Sequence, residues 1–260
     1  MGVAAAIIER IRGRAMKIRL LKPLLIVGVL LMLWQMVATL GSFPHYIFPS
    51  PQAVGQQLFT HAELLWQHTQ VSLLEICLGL LLGFLFGLIS ALLLSFSRQI
   101  STVLLPILVI SQAIPVFAIA PLLVLWFGYG MASKIVMSVL IIYFPVTAAC
   151  YDGLRNTPQA WLDLAKTFNI SPLRLLLKVR LPAALPAFAS GLRIAVSVAP
   201  IGAVVGEWVG SSEGLGYLMI HANARMQVDL MFAALLILVS ISLCLYFSID
   251  RLLHRFIWSV

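Results

Sequence analysis

Two carboxylic acids stand inside apolar runs, where a charge is costly and a functional role is the default reading: Glu75, and Glu207 within Gly206-Glu207-Trp208. Both fall toward one end of their runs, where a side chain can reach water cheaply, which weighs against that default; each is kept as a candidate for lining the translocation path or an outer gate. A second constellation is Gly210-Ser211-Ser212-Glu213-Gly214, which satisfies G-x-S-x-G and is followed by His221. A nucleophilic serine at such an elbow needs a strand, a sharp turn and a helix. This stretch instead closes an apolar run with no strand before it, and it reads as a glycine-rich turn. An intramembrane serine enzyme using Ser212 and His221 is the rival reading. His61, Glu63 and His68 lack the H-E-x-x-H spacing of a zinc helix and read as ordinary loop residues. No catalytic residue and no metal are expected.

The elements that must position these groups follow from composition. A soluble domain carries roughly 25% charged residues, whereas this chain of 260 has 10% charged and 62% hydrophobic residues, with a mean hydropathy of +1.04. A water-soluble fold is excluded. The net charge of +8 comes from basic residues flanking apolar segments, without aromatic interleaving on a soluble face, so topology explains it better than nucleic acid does. Cys77, Cys150 and Cys244 have no CxxC spacing and read as small packing residues.

Hydropathy predicts six transmembrane helices, near 23–40, 71–96, 102–126, 135–151, 187–209 and 231–249, in an all-α membrane domain over 23–260 preceded by a basic arm, 1–22. The arm opens on an apolar patch at 3–8 and offers no good cleavage site, so it is expected to be retained. Lys and Arg cluster in the arm, at Arg98, across 152–193 and at Arg251 and Arg255, against Lys134 and Arg225 in the opposite connections. The positive-inside rule therefore puts both termini and the 152–193 segment in the cytoplasm. Gly79, Gly83 and Gly87 recur every four residues on one face of the second span, a seam for close helix approach. Pro106, Pro115 and Pro121 interrupt the third span, which could line a path where freed backbone groups find partners.

The 152–186 connection between the fourth and fifth spans is longer than a reversal needs. It reads as two short helices. The first has Trp161, Leu164, Ala165 and Phe168 at helical spacing and ends at Asn169, which tolerates the left-handed conformation; the second begins at Ser171-Pro172 and runs to Leu181-Pro182. Its exposed side could lie on lipid or dock a soluble partner, and a membrane scaffold is a third reading of the chain.

Asp163-Leu164-Ala165-Lys166-Thr167-Phe168-Asn169, followed by Val179-Arg180-Leu181-Pro182, resembles the cytoplasmic EAA-loop signature of type I ABC importer permeases in an ungapped register. Asp163 stands for the glutamate, Leu164 for the first alanine and Asn169 for the glycine of that signature. Trp34-Gln35, Phe48-Pro49-Ser50-Pro51, the run from Ile114-Pro115 through Pro121-Leu122 to Phe127-Gly128, and Gly214-Leu215-Gly216-Tyr217-Leu218 extend the resemblance to the taurine, aliphatic sulfonate, nitrate and thiamine-precursor branch. The resemblance implies a homodimer in the cell inner membrane, two copies of an ATP-binding subunit docked on the 163–169 helix, and an extracytoplasmic solute-binding protein. Asp163, Ala165 and Asn169 would carry the coupling, with Leu164, Lys166, Phe168, Leu181 and Pro182 completing the motif. It also supplies a matching glutamate for Glu207. The sequence contains no G-x-x-x-x-G-K-[ST] phosphate loop, so ATP and Mg²⁺ are expected on the partner, with no cofactor in this chain. The expected cargo is a thiamine precursor such as hydroxymethylpyrimidine, on the similarity of the 202–217 stretch and the lack of a basic residue well inside the outer half of any span. A sulfonate, taurine or nitrate is the alternative.

Overall fold

The computed structural model describes residues 25–41, 44, 46–96 and 98–257; the expected arm at 1–22 and its 3–8 patch lie outside them. Every regular element among the described residues is helical. The described residues divide into two compact units, one formed by those up to 61 together with 222–233, the other by those from 62 to 221 together with those from 234 onward.

In the first unit, α1 (Leu25–Leu40) is followed by α2 (Pro51–Thr60). Ser50 caps α2 by accepting the Ala53 N–H at 3.3 Å, and Pro51 takes the first helical position, where a missing N–H costs nothing. The Trp34 indole donates to the Pro49 carbonyl at 3.0 Å, and its ring meets Phe48 and Phe232 at centroid distances of 6.4 and 5.9 Å. The tryptophan and the Phe-Pro-Ser-Pro turn, far apart in sequence, are thus one packing unit.

The second unit is built around α6 (Met131–Arg155), which lies between α3 (Ala62–Phe96) and α9 (Leu181–Gly210). Small residues line both contacts. A Cβ added at Gly83 would sit 2.7 Å from Ile142 Cγ2, and one at Gly87 2.8 Å from Val146 Cγ1; across α6, one at Gly202 would lie 2.8 Å from the Ser138 Cα. The opposite face of α3 turns Leu81, Leu85, Ile89 and Leu93 outward, each at least 41% exposed. Apolar outside and glycine-lined inside is the arrangement lipid demands, since helices there associate by close packing and not by escape from water.

Four helices are long and apolar enough to cross a membrane, or five if a bent pair counts as one span. That pair is α4 (Arg98–Ala113) and α5 (Val116–Phe127), the expected third span, which turns through 97° at its break. Pro115 sits at the corner with extended backbone (φ −59°, ψ 125°), while Pro106 and Pro121 remain inside their helices. A proline biases the residue before it away from the helical region, which explains the break at Ile114-Pro115. The first expected span, 23–40, corresponds to α1, whose described part is an apolar helix below the length of a full crossing. The last span, α11 (Val228–Ile257), is tied to α9 by Arg193 Nε, which donates to Asp250 Oδ1 at 2.6 Å.

The 152–186 connection is shorter in the structure than the sequence suggested. Helix α6 continues to Arg155, and α7 (Gln159–Thr167) is followed by α8 (Pro172–Leu175) and a π-helical turn, Leu176–Arg180. These run without interruption into α9, one helical stretch from Pro172 to Gly210. The expected stop at Leu181-Pro182 does not occur, because Pro182 falls in the first turn of α9 and the π turn absorbs the missing hydrogen bond. Of the cysteines, Cys150 packs in the core beside Ala91 and Leu154, whereas Cys77 and Cys244 are exposed on the isolated chain, against the expectation of packing roles for all three.

Candidate functional site

Two groups of residues draw attention, at opposite ends of α6. The first surrounds Glu207 near the end of α9. Its carboxylate is 1% exposed and meets protein groups in place of water. Oxygen Oε1 accepts the Ser72 hydroxyl at 2.5 Å, and Oε2 accepts the Gly216 N–H at 2.5 Å and the Tyr217 N–H at 3.4 Å. The Ser72 oxygen in turn accepts the Leu215 N–H at 2.7 Å, and His68 Nδ1 accepts the Gly214 N–H at 3.0 Å. Four successive backbone donors at the start of α10 (Leu215–Ala224) are therefore held by side chains from α3 and α9. The first N–H groups of any helix have no partner within it, and an anion there also meets the positive end of the helix dipole. Gly214 adopts φ +112° and, like Gly216, has no room for a Cβ against the Glu207 carboxylate.

Glu75 is 0% exposed on α3 and pairs with Lys134 of α6. Lys134 Nζ also donates to Ser211 Oγ at 2.9 Å, and Ser211 Oγ accepts the Glu213 N–H at 3.1 Å. Lys134 stands in the first turn of α6 and is 5% exposed, inside the helix and not in the connection where the hydropathy reading left it. Its charge is matched by Glu75. Sequence reasoning missed His68, Ser72, Lys134 and Ser211. The available signal was Lys134 itself, since a lysine beside an apolar run requires an acid partner, and Glu75 and Glu207 were the candidates.

His221 stacks on Tyr217 at 4.1 Å between ring centroids, and Ser212 follows helix α9, with no strand before it. Glu63 accepts the Gln67 amide at 3.1 Å, and among the described residues no group of three or more His, Cys, Asp or Glu side chains could hold a metal ion.

The second group is α7. Asn169 is left-handed at φ 51°, its N–H bonding the Lys166 carbonyl at 3.0 Å and the Ile170 N–H the Ala165 carbonyl at 3.4 Å, the paired bonds of a Schellman end. Asp163 Oδ1 accepts from Lys166 Nζ at 2.8 Å and Gln159 Nε2 at 3.0 Å. The Lys166 bond first, then that of Gln159, holds the Asp163 carboxyl below the usual range. Trp161, Leu164 and Phe168 are 52%, 60% and 70% exposed on one face, whereas Ala165 is 5% exposed and turns inward. Leu181 and Pro182 lie in the first turn of α9, outside this face. Pro115 is exposed at the α4–α5 corner, and Pro121 is exposed within α5.

Comparison with known proteins gives this arrangement a context. Residues 83–258 match the family described as binding-protein-dependent transport system inner membrane component. The chain is similar to a Haemophilus influenzae protein named "Probable ABC transporter permease protein", 98% identical over 94% of this chain and 100% of that one. It is 36% identical to the formylaminopyrimidine transport permease protein ThiX of Halalkalibacterium halodurans, over 89% of this chain and 93% of that one. It is 37% identical to the riboflavin transport system permease protein RibX of Chloroflexus aurantiacus, over 87% of each. A solved structure of the MetNI methionine ABC transporter in inward-facing conformations shares the fold, with a TM-score of 0.66 at 20% identity over 75% of this chain and 97% of that one. The enzyme and scaffold readings fall away, and the chain belongs to the binding-protein-dependent transport family as a multi-pass inner-membrane permease of an ABC importer.

Proposed function

We propose that this chain carries a thiamine precursor such as hydroxymethylpyrimidine into the cytoplasm as one of two identical permease copies, with both termini and α7 cytoplasmic. Two ATP-binding subunits, which hold the ATP and Mg²⁺, dock on α7, and an extracytoplasmic solute-binding protein delivers the cargo at the other end. The observation that carries this reading is the exposed face of α7, where Trp161, Leu164 and Phe168 stand beside Asp163. Large apolar side chains on a short helix closed at its C-terminal end by Asn169 suit a groove in a soluble partner. Closure of that partner would move α7 as a rigid body together with the long helix that follows it. At the other end Glu207 and Glu75 position the 210–217 turn as an outer gate, and Pro115 at the α4–α5 corner and Pro121 within α5 line the path.

The choice of cargo rests on the two relatives named for formylaminopyrimidine and riboflavin, both planar nitrogen heterocycles. An anionic cargo would draw on Lys134, and that lysine is already paired with Glu75. The docking reading is tested by co-purifying the chain with its ATP-binding subunit, comparing wild type with Asp163→Arg and Leu164→Glu. Loss of the partner from folded variants supports it; retention by both removes it. Ala165 is unsuitable for this test because it is buried, and a glutamate there would disturb packing as well as docking. For the cargo, the reconstituted complex is offered hydroxymethylpyrimidine and taurine with their binding proteins, and ATP-dependent uptake of taurine alone would reject the precursor.

A further inference from the structure

At the end of α6 nearest α7, a cavity of about 490 Å³ lies where α3 ends, α4 begins, α6 ends and the π turn leads into α9. Arg155 and Arg180 line it together with the hydroxyl-bearing Ser95, Ser101, Thr102 and Tyr151, and no acidic side chain among the described residues does. The Arg180 Nε is buried without a hydrogen-bond partner among the described residues. Neither guanidinium is in a carboxylate ion pair there. Basic residues are ordinary at this end of a membrane bundle, but an unpaired buried donor converging with a second cation on one concavity is not, because buried donors are nearly always hydrogen-bonded.

We propose that this pocket binds a phosphate-bearing anion, and that its source is the headgroup of an anionic phospholipid. Guanidinium groups match phosphate oxygens with paired donors. The ends of α3 and α6 bring carbonyls, each end worth about half a negative charge, and the start of α4 brings about half a positive one. Two full guanidinium charges exceed that balance, so the cavity stays positive. Two observations favour lipid over free phosphate. The cavity sits where the apolar runs of α3 and α6 stop, the level at which hydrocarbon gives way to headgroups, and basic pockets between helices at that level take anionic headgroups. Leu94, Leu105 and Leu154 form its apolar side, so the lining is amphipathic, as a glycerophospholipid is. The inference is independent of cargo and of ATPase docking.

The test is native mass spectrometry of the full-length chain released from detergent after exposure to phosphatidylglycerol or phosphatidylcholine with the same acyl chains, with inorganic phosphate as a separate arm. Wild type should retain phosphatidylglycerol about tenfold better than phosphatidylcholine, and Arg155→Gln or Arg180→Gln should remove about that factor, the size of one charge-assisted hydrogen bond. Arg174→Gln, the same charge change on an exposed residue outside the cavity, should leave the preference intact. Arg155 is itself exposed, so its variant carries the test if Arg180→Gln fails to fold. Arginine-dependent binding of inorganic phosphate without a lipid preference would keep the anion site and reassign its source to a soluble phosphate. The proposal is overturned if wild type shows neither preference nor phosphate binding, or if Arg155→Gln matches wild type.

Discussion

Glu75 of α3 and Lys134 of α6 form an ion pair whose side chains are 0% and 6% exposed. Beyond that pair, neither Glu75 oxygen has a hydrogen-bond partner among the described residues, so the carboxylate depends on the lysine. Removing one member of such a pair strands the other and costs about 3–5 kcal/mol, whereas removing both together is close to neutral. Lys134→Met should therefore lower the unfolding temperature of the detergent-solubilised protein markedly, and Glu75→Gln with Lys134→Met should restore most of the loss. A Lys134→Met variant that unfolds with wild type would show that the pair carries no weight.

Glu207 accepts two backbone N–H groups and one hydroxyl. Glu207→Ala leaves these donors bare in a buried site, at about 1–3 kcal/mol for each unsatisfied group. Glu207→Gln keeps one carbonyl and should lose less. Amide hydrogen exchange at 214–217 is the measurement: protection should fall in the order wild type, glutamine, alanine, while α3 and α6 remain protected. Equal protection in all three would dissociate the turn from the carboxylate.

The glycines separate by what surrounds them. Gly83→Ala drives a methyl into Ile142 and Gly214→Ala meets both a positive φ and the Glu207 carboxylate, so each should destabilise by about 1–3 kcal/mol. Gly55, inside α2 with open space around it, should tolerate alanine and gain about 0.4–1 kcal/mol. Thermal unfolding of the three variants, ranked against wild type, checks the order.

Asp163 is held below the usual carboxylate range by Lys166 and then Gln159. A depressed folded-state value means its charge and its helix contacts are complete above the ordinary aspartate range, near pH 4, and are lost only as pH falls through the lowered value. Partner retention on α7 should thus be insensitive to the Asp163 titration throughout neutral pH. Asp163→Asn should weaken retention with little change in unfolding temperature, because exposed ion pairs contribute little to stability. A large stability loss in that variant would mark Asp163 as structural.

Much of this was legible in advance. Long apolar runs, the four-residue glycine spacing on α3 and the Asn169 helix end are local signals, and the structure reproduces them as a close helix seam and a left-handed residue. Pro115 was legible as an interruption but not as a 97° corner, since a proline removes one bond and only the packing of neighbouring helices selects the angle. The run through Pro182 misled in the opposite direction. A proline signals a stop only where the preceding turn cannot relax, and the π turn at Leu176–Arg180 does so here.

The buried polar network lay beyond sequence reasoning. Glu75 and Glu207 were visible as acids in apolar surroundings, but whether each meets water or a partner depends on residues far along the chain, Lys134 for one and Ser72 with the Gly216 N–H for the other. The sequence by itself determined a helical membrane protein with a finished helix carrying Asp163, because periodicity, capping and hydropathy act over a few residues. Tertiary structure alone decided that the two acids are satisfied inside the bundle, that Ala165 turns inward, and that Arg155 and Arg180 converge on one cavity. Those outcomes depend on which helix faces meet, and close packing between segments distant in sequence selects them.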